Sequence, residues 1–438
     1  MYSWKIRPSR LQGLVAIPSS KSQTLRALLF ASVAAGTSSI ESPLLSDDTE
    51  AMIAGCRQLG ATIEAHPSGY MVHGLGKAPD QIASPIDAHS SGIVLRFLSA
   101  MATVASSHPV KIVGSPSLQA QRPVDQLLLG LRQLGARQAT SLDQPGRAPL
   151  LVQGPLRGGC ARIEGSDSQP VSALLIASAF AQGPTELRVD HPGEGPWILL
   201  TLDWLSRLAI WYEREGFSCY RLQGNSSIAP FHYRVGGDWS SAAFPAVAAL
   251  VTDSCLTLTN LEMSEPQGDK KAFEVMKAMG AAIEIESERQ QLTIWRDRPL
   301  QPVDVNINDC IDALPALAVL ACYSQGVTRL RGVAVARNKE CDRIAATIEE
   351  LTKMGAVLSS TDDGNCLNII GRGSLQSASL NSYHDHRMAM ALATAALGAE
   401  GETTIQGVDC VAKTFPHFGQ TLQALGADLV EATGGPPF

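Results

Sequence analysis

Residues 52–64, MIAGCRQLGATIE, carry the pattern that decides the fold of this chain. Residues 52–59 are typical of a helix, Gly60 is suited to end it, and residues 61–64 begin a β-rich run. The tripeptide Leu-Gly-Ala or Met-Gly-Ala recurs from residues 59, 134, 279, 354 and 425, and a degenerate copy, Leu208-Ala209-Ile210, fills the one gap. The intervals of 75, 74, 71, 75 and 71 residues are too regular for chance. They predict six repeats of about 73 residues.

A second marker recurs in phase with the first. Each predicted repeat contains a helix rich in small residues, followed by a turn and a β-branched strand. These helices are predicted at residues 25–35, 95–105, 171–181, 244–251, 314–322 and 387–397. Each repeat therefore holds two helices and several short strands. Because a period beyond about 50 residues is long for a solenoid, we predict compact domains of three repeats each.

Length and composition limit the class of protein. A chain of 438 residues, with 45% apolar and 18% charged residues, predicts a well-buried globular protein of two or three domains. The net charge of −7 gives no support to a nucleic-acid partner. Nine cysteines without a C-x-x-C pair, no signal-like N-terminus and no apolar run of about 18–20 residues predict a reduced cytoplasmic protein without a membrane partner.

Polar clusters stand at the starts of several predicted helices. In residues 18–36, PSSKSQTLRALLFASVAAG, a serine-rich turn leads into an apolar segment. Backbone N–H groups and the positive dipole end make a helix start suited to an anion. Lys21 and Arg26 add two charges, and Ser22 lies four residues before Arg26 on the same helix face. The other clusters are residues 89–96, 121–123, 166–169, 339–343 and 384–387, with Asp312 and Lys413 outside them.

Each cluster also has an ordinary structural interpretation. Residues 339–343 alone are typical of a solvated helix face, Asp312 of a helix N-cap or a loop, and residues 18–36 of a capped helix. His384 and His386 could form a metal pair, but no third ligand of suitable spacing is evident, so we predict no metal site.

Together, the clusters fall at helix starts in five of the six repeats, and we predict that these starts converge on one cleft. Such a cleft suits small substrates that carry phosphates and carboxylates. It would hold seven cations around two acids: Lys21, Arg26, Arg122, Lys339, Arg343, Arg387 and Lys413 around Asp312 and Glu340.

Seven short motifs run through the chain in order. They are P-x-S-K-S-x-x-x-R (residues 18–26), R-P (122–123), S-Q (168–169), G-D-x-S-S-A (237–242), K-E-x-D-R (339–343), D-H-R-M-A-M (385–390) and K-T-F-P (413–416). In this order the chain resembles the 5-enolpyruvylshikimate-3-phosphate (EPSP) synthase family over essentially its full length.

The resemblance implies an α/β fold of two similar globular domains, each built from three βαβαββ repeats as an inside-out α/β barrel. It places residues 1–18 with 235–438 in a discontinuous domain I, and residues 19–234 in domain II. It also implies that the domains close on substrates. We expect a monomer.

The implied reaction moves the enolpyruvyl group of phosphoenolpyruvate onto the 5-hydroxyl of shikimate 3-phosphate, with neither metal nor organic cofactor. By the family's pattern, Asp312 accepts the hydroxyl proton, Glu340 handles proton transfer at the methylene carbon, and Lys21 lies between the two substrates. The resemblance assigns shikimate 3-phosphate to Lys21, Ser22, Arg26, Ser168, Gln169, Asp312 and Lys339. It assigns phosphoenolpyruvate to Lys21, Gly92, Arg122, Gln169, Arg343, Arg387 and Lys413.

The chain departs from the family's pattern near these residues. The departures are Ser90 and Ile93 beside Gly92, Phe97, Asp167, Trp197 and Val335. Two alternatives remain. One is a UDP-N-acetylglucosamine enolpyruvyl transferase, which would need a cysteine near Arg122, where residues 57–159 contain none. The other is an inactive paralogue that serves as a binding module.

Overall fold

The computed structural model describes residues 2–77, Pro79 and 82–433. The chain divides into two compact units. Unit 1 comprises Met1–Pro18 with Gly236–Phe438, and unit 2 comprises Ser19–Val235.

Helices and strands are numbered along the chain. Unit 1 begins with β1 (Tyr2–Ile6) and β2 (Gln12–Ala16). Unit 2 follows with α1 (Lys21–Val33), β3 (Thr37–Glu41), α2 (Asp47–Leu59), β4 (Thr62–His66), β5 (Gly69–His73), β6 (Ile86–Asp87), α3 (Gly92–Ala105), β7 (Val110–Val113), α4 (Pro116–Gln121), α5 (Asp125–Gln133), β8 (Gln138–Ser141), β9 (Leu150–Gln153), β10 (Gly159–Glu164), α6 (Ser168–Ala179), β11 (Thr185–Asp190), α7 (Gly195–Arg207), β12 (Tyr212–Glu215), β13 (Cys219–Leu222) and β14 (His232–Arg234).

The chain then returns to unit 1. Its remaining elements are α8 (Trp239–Val251), β15 (Cys255–Thr259), α9 (Lys270–Met279), β16 (Ala281–Glu286), β17 (Gln291–Arg296), β18 (Asp304–Asn306), α10 (Leu314–Cys322), β19 (Gln325–Arg331), α11 (Arg343–Lys353), β20 (Val357–Ser360), β21 (Cys366–Arg372), β22 (Ser379–Asn381), α12 (His386–Gly398), β23 (Thr403–Gln406), α13 (Phe418–Ala424) and β24 (Leu429–Thr433). Short 3-10 helices lie at Ser287–Arg289, Asn308–Ala313, Ala334–Asn338 and Val408–Lys413.

The described strands form six four-stranded sheets, three in each unit, which share one pattern. In the sheet ordered β10-β11-β13-β12, the first pair is parallel and the other two pairs are antiparallel. The parallel pair needs a helical crossover, which α6 supplies, whereas the antiparallel pair of β12 and β13 is joined by a short turn. The predicted βαβαββ repeat and the α/β fold class are therefore confirmed.

Three sheets are completed by strands from distant parts of the chain, and one of them is the sheet in which β2 pairs in parallel with β15. In unit 2, β14 pairs in parallel with β3, so the end of this unit supplies the first strand of its first repeat. In unit 1, β1 lies between β23 and β24, where it completes the last repeat from the start of the chain. The remaining sheets are ordered β6-β7-β9-β8, β16-β17-β15-β2 and β18-β19-β21-β20.

Each unit has its own apolar core, built around three buried helices. These helices are the predicted small-residue helices: α1, α3 and α6 in unit 2, and α8, α10 and α12 in unit 1. A helix that is apolar on every face is buried on every face, which explains their composition. Most begin a few residues earlier than predicted, so the polar residues of the clusters lie in their first turns.

The predicted turn after the second helix of each repeat is confirmed by the backbone. The glycines of the Leu-Gly-Ala and Met-Gly-Ala copies all have positive φ angles, and so does Ala209 in the degenerate copy. A left-handed residue after a helix lets the chain reverse into the next strand, and glycine adopts it without steric cost.

The end of the chain differs in part from the sequence-based expectation. The sequence of residues 431–438, EATGGPPF, predicts a disordered tail, yet Glu431 and Ala432 lie in β24, where they pair with Trp4 and Ser3 of β1. Residues 434–438 lie outside the described residues. Among the helices of the described residues, none is both long and apolar enough to cross a membrane.

Candidate active site

Lys21 and Ser22 lie in the first turn of α1, where both side chains are buried. Ser20 caps this helix by accepting a hydrogen bond from the backbone N–H of Gln23, which fixes where the helix begins. The Nζ of Lys21 lies 3.2 Å from an oxygen of Asp48, a buried acid in the first turn of α2. This pairing places the Lys21 ammonium at the start of α1.

Arg26 is a buried cation one turn further along α1. Its guanidinium donates to the hydroxyl of Thr201 over 2.9 and 3.1 Å and to the carbonyl of Ser22 over 3.1 Å. Its carbon Cζ lies 5.1 Å from the ring centroid of Phe97, one of the departures from the family's pattern. No carboxylate in the described part of the chain pairs with Arg26. Burial lowers the pKa of Arg26 to about 9, as expected for a charge removed from water without a counter-ion.

Three of the predicted phosphoenolpyruvate residues of unit 2 converge at the start of α3. A Cβ added to Gly92 would lie 3.3 Å from Nε of Arg122 and 3.4 Å from Oε1 of Gln169. It would also lie 2.9 Å from Nη1 of Arg96. Arg96 is fully buried and donates to Oε1 of Gln169 over 2.6 Å, which fixes the orientation of that amide. Glycine at position 92 therefore keeps this approach open.

The start of α6 differs from what the resemblance implies. The backbone N–H and the hydroxyl of Ser168 both donate to Oε2 of Glu194 over 2.9 Å. Asp167 caps the helix by accepting from the N–H of Gln169, and it pairs with Arg96 over 3.2 Å. Burial lowers the pKa of Arg96, and the charge of Asp167 opposes that shift. Sequence reasoning missed Glu194, because nothing in its local pattern ties it to Ser168.

In unit 1, Arg343 is the centre of a buried charge cluster. Its guanidinium donates to Asp312 over 2.8 Å, to Glu340 over 2.7 Å and to Asp385 over 2.7 Å. Arg343 is the first residue of α11, and Asp385 caps the start of α12 by accepting from the N–H groups of Arg387 and Met388. Asp385 was in a predicted cluster without an assigned role. Because Lys339 and Arg343 are buried, the alternative of a solvated helix face at residues 339–343 is wrong.

Two further cations complete this cluster. Nη2 of Arg387 pairs with Asp312 over 2.9 Å, and the Nζ of Lys413 lies 3.7 Å from Glu340. Nη1 of Arg387 is buried and has no hydrogen-bond partner among the residues that the structure describes. A buried charged donor left without an acceptor is costly, so this atom marks a place where an anion would be stabilised.

Electrostatics set the charge states in the cluster. Burial alone would raise the pKa of Asp312, but the charges of Arg387, Lys339 and Arg343 outweigh burial and hold that pKa well below its usual range. The pKa of Arg343 is raised, because its three carboxylate partners outweigh the effect of burial. Asp312 is therefore a carboxylate, held in place by two arginines.

Three potential metal ligands also lie close together in unit 1. Ligand atoms of Glu340, Asp385 and His386 are within 4.8 Å of one another, whereas His384 is not part of this group. The guanidinium of Arg343 already donates to both carboxylates. A divalent cation would have to lie against this buried charge, so the donor set suits an arginine better than a metal.

The chain is similar to known proteins over nearly its whole length. A profile of the family described as EPSP synthase (3-phosphoshikimate 1-carboxyvinyltransferase) matches residues 6–422. The chain belongs to the EPSP synthase family. Among relatives, a 3-phosphoshikimate 1-carboxyvinyltransferase of Chlamydia caviae is 43% identical over 98% of this chain and 95% of that protein. One of Acetivibrio thermocellus is 39% identical over 97% of this chain and 98% of its own length.

The fold comparison extends over the full length of the EPSP synthase fold. A structure of EPSP synthase from Acinetobacter baumannii has a TM-score of 0.82 at 27% identity, covering 99% of this chain and 100% of that one. These findings confirm the resemblance stated from the motifs, and with it the assignment as a transferase of this family. They do not favour the UDP-N-acetylglucosamine enolpyruvyl transferase alternative or the inactive binding module.

Proposed function

We propose that this chain transfers the enolpyruvyl group of phosphoenolpyruvate to the 5-hydroxyl of shikimate 3-phosphate and releases phosphate. The observation that carries the proposal is that Asp312 and Glu340 accept hydrogen bonds from the two terminal nitrogens of one buried guanidinium, that of Arg343. The reaction needs two proton transfers beside an anionic substrate. Two carboxyl groups that are held by one anion-binding arginine supply both proton transfers.

The buried cations bind the two polyanionic substrates. Arg26, which has no carboxylate partner among the described residues, takes the carboxylate of shikimate 3-phosphate together with Ser22. Ser168 and Lys339 bind its 3-phosphate, and Gln169 lies against its ring. Arg343 and Arg387 bind the carboxylate of phosphoenolpyruvate, and the unpartnered Nη1 of Arg387 supports this assignment. Gly92, Arg122 and Lys413 receive its phosphate.

Substrate binding converts Asp312 into a base. Without substrate, Arg343 and Arg387 hold this carboxylate with a depressed pKa, which makes it a poor proton acceptor. The carboxylate of phosphoenolpyruvate neutralises both guanidinium groups, and the 3-phosphate neutralises Lys339. The pKa of Asp312 then rises toward its ordinary range, so the proton of the 5-hydroxyl moves to Asp312 only when both substrates are bound.

The other groups complete an addition–elimination sequence. Glu340, as the carboxylic acid, protonates the methylene carbon while the 5-oxygen bonds to C2 of phosphoenolpyruvate, giving a tetrahedral intermediate. Lys21 stabilises the charge that develops. Glu340 then removes a proton from the new methyl group as the C2–O bond to phosphate breaks, and the leaving phosphate takes up the proton that Asp312 accepted. No oxidation state changes, so the sequence requires no redox cofactor. We further propose that the protein acts as a monomer in the cytoplasm.

Phosphate release tests the proposal directly. Purified protein with phosphoenolpyruvate should release phosphate when shikimate 3-phosphate is the acceptor and not when UDP-N-acetylglucosamine replaces it. An Asp312→Asn protein is the control for contaminating phosphatase. Phosphate release with UDP-N-acetylglucosamine but not with shikimate 3-phosphate would establish the sister reaction. If phosphate is released with neither of the two acceptors, the proposal is contradicted.

A further inference from the structure

Glu194 has no role in the proposed reaction, yet its carboxylate lies on a proposed substrate-binding group. Oε2 of Glu194 accepts both the backbone N–H and the hydroxyl of Ser168 over 2.9 Å. Ser168 is the first residue of α6 and is assigned to the 3-phosphate of the acceptor. The two hydrogen-bond donors of Ser168, which are proposed to bind the substrate phosphate, are therefore already satisfied by a carboxylate of the protein.

The loop before α7 holds Glu194 in this position. The residue is only 1% exposed and has a left-handed backbone, with φ 49° and ψ 41°. It precedes α7 but does not cap that helix with its side chain. Gly193 donates its N–H to the carbonyl of Gly165, and a Cβ at position 193 would lie 2.6 Å from the carbonyl oxygen of Ser166. Glu194 is thus directed at α6 by a close-packed loop, unlike a mobile surface acid.

A second carboxylate takes the next donor of the same helix. Asp167 accepts from the backbone N–H of Gln169 over 2.9 Å. Helix starts stabilise anions because their N–H groups have no partner within the helix. In α6 two of these groups already face carboxylates, so a substrate phosphate meets negative charge where the resemblance implies neutral donors.

We propose that Glu194 determines acceptor affinity and specificity in this enzyme by competing with the 3-phosphate for the donors of Ser168. The inference rests on the proposed function, because that function assigns Ser168 to the phosphate. Binding of the phosphorylated acceptor requires the Glu194 carboxylate to leave Ser168 or to share it at a cost in repulsion. An acceptor without the phosphate does not compete with Glu194.

This competition predicts a selective gain of affinity when the charge is removed. In Glu194→Gln the side-chain oxygen still accepts from Ser168, but the charge is gone. The dissociation constant for shikimate 3-phosphate should fall about 10- to 100-fold, the value of a hydrogen bond to a charged group. The constant for shikimate, which lacks the phosphate, should stay within about threefold, since no phosphate interaction changes. A merely structural role of Glu194 would weaken both ligands together.

Titration calorimetry of the full-length protein measures both constants without turnover. Glu194→Asn is the second variant, because asparagine tolerates a left-handed backbone and is one methylene too short to reach Ser168 as glutamate does. Asp203→Asn on α7 is the matched control: it removes an acid paired on the surface with Arg207 and should change neither constant.

The outcomes separate this inference from the proposed function. If shikimate 3-phosphate binds Glu194→Gln no more tightly than the unsubstituted protein, while that protein turns over shikimate 3-phosphate, the inference is overturned and the function stands. If the unsubstituted protein releases no phosphate with this acceptor, the function fails, whatever the Glu194 variants do. A parallel gain for shikimate and its 3-phosphate would also overturn the competition.

Discussion

The carboxylate of Asp312 lies 2.9 Å from Nη2 of Arg387, and its other oxygen lies 2.8 Å from Nη1 of Arg343. In the proposed mechanism both arginines must turn from this acid to the carboxylate of phosphoenolpyruvate. The protein's acid and the substrate's acid therefore compete for the same two cations.

Asp312→Asn should separate binding from chemistry. The neutral amide removes one carboxylate partner from each of the two guanidinium groups, so phosphoenolpyruvate should bind about tenfold more tightly, as expected when a buried charge regains a partner. Turnover should fall about 10²- to 10⁴-fold, because the general base is lost. Steady-state kinetics and equilibrium binding measure the two effects. The control is Asp309→Asn, an acid of the same 3-10 helix that pairs with Lys271 outside the cluster. Weaker binding of phosphoenolpyruvate to Asp312→Asn would contradict the competition.

Glu340→Gln should keep the binding of both substrates and lower turnover. The amide oxygen can still accept from Arg343, whereas the proton donor for the methylene carbon is lost. A general acid or base contributes about 10²- to 10⁴-fold to rate. Single-turnover kinetics with saturating substrates give the chemical step. Glu349→Gln, on the exposed side of α11, is the matched control. A rate within about threefold of the unsubstituted enzyme would remove Glu340 from the proton transfer.

Arg26→Met should weaken substrate binding without lowering the stability of the protein. Loss of the guanidinium should weaken shikimate 3-phosphate binding about 10- to 100-fold, with a much smaller effect on phosphoenolpyruvate. Burial lowers the pKa of Arg26 to about 9, so the folded state disfavours its charge at neutral pH. Methionine has a similar length and no charge, and the thermal midpoint should therefore not fall. Equal losses of affinity for the two substrates would contradict the assignment of Arg26 to shikimate 3-phosphate.

Asp269 should make stability depend on pH. It is fully buried, accepts a hydrogen bond from Ser240, and has no partner for Oδ1 among the described residues. Burial, assisted by the charge of Asp312, raises the pKa of Asp269 to about 7, while Arg387 opposes the shift. The folded protein thus binds this proton more tightly than the unfolded chain. The stability that Asp269 contributes should fall as pH rises from about 4 to about 7 and then stay constant.

Asp269→Asn removes this dependence. The thermal midpoint of the variant relative to the unsubstituted protein should rise between pH 5 and pH 8, equivalent to a few kcal/mol at most for a shift of this size. The amide lacks a partner for its NH2 group at every pH, so the change with pH is the informative quantity. The exposed Asp297→Asn is the control and should show no such trend. A difference that is independent of pH would contradict a titrating Asp269.

The sequence predicted the repeats from their regular spacing, and it predicted their helices because the composition of a helix is a property of consecutive residues. Each small-residue helix buries all its faces and therefore has small and apolar residues on every face. An example is α10, whose bounds match the prediction. The motifs also placed the charged residues at helix starts. What they could not predict is which side chains meet. Glu194 reaches Ser168 across 26 residues and Asp385 reaches Arg343 across 42, and both pairings depend on how separate helices pack.

Ala209 tests whether the repeat turn carries strain. It is exposed and has φ 55°, where the other five repeats have glycine. A left-handed conformation costs an L-residue about 1–2 kcal/mol, and the greater freedom of unfolded glycine offsets about 0.5–1 kcal/mol of the gain. Ala209→Gly should therefore stabilise the protein by about 0.5–1 kcal/mol, measured as a higher midpoint in urea.

Two controls isolate the role of the backbone at Ala209. Ala345→Gly, an exposed position inside α11, makes the same change in a right-handed helix and should destabilise by about 1 kcal/mol. Gly355→Ala is the reverse change at the equivalent turn, with φ 83° and no atom closer than 3.8 Å to the added Cβ. Its cost of about 1 kcal/mol would be conformational, because nothing is displaced. If Ala209→Gly destabilises as much as Ala345→Gly does, the left-handed turn is not strained, and glycine in the other five repeats needs another explanation.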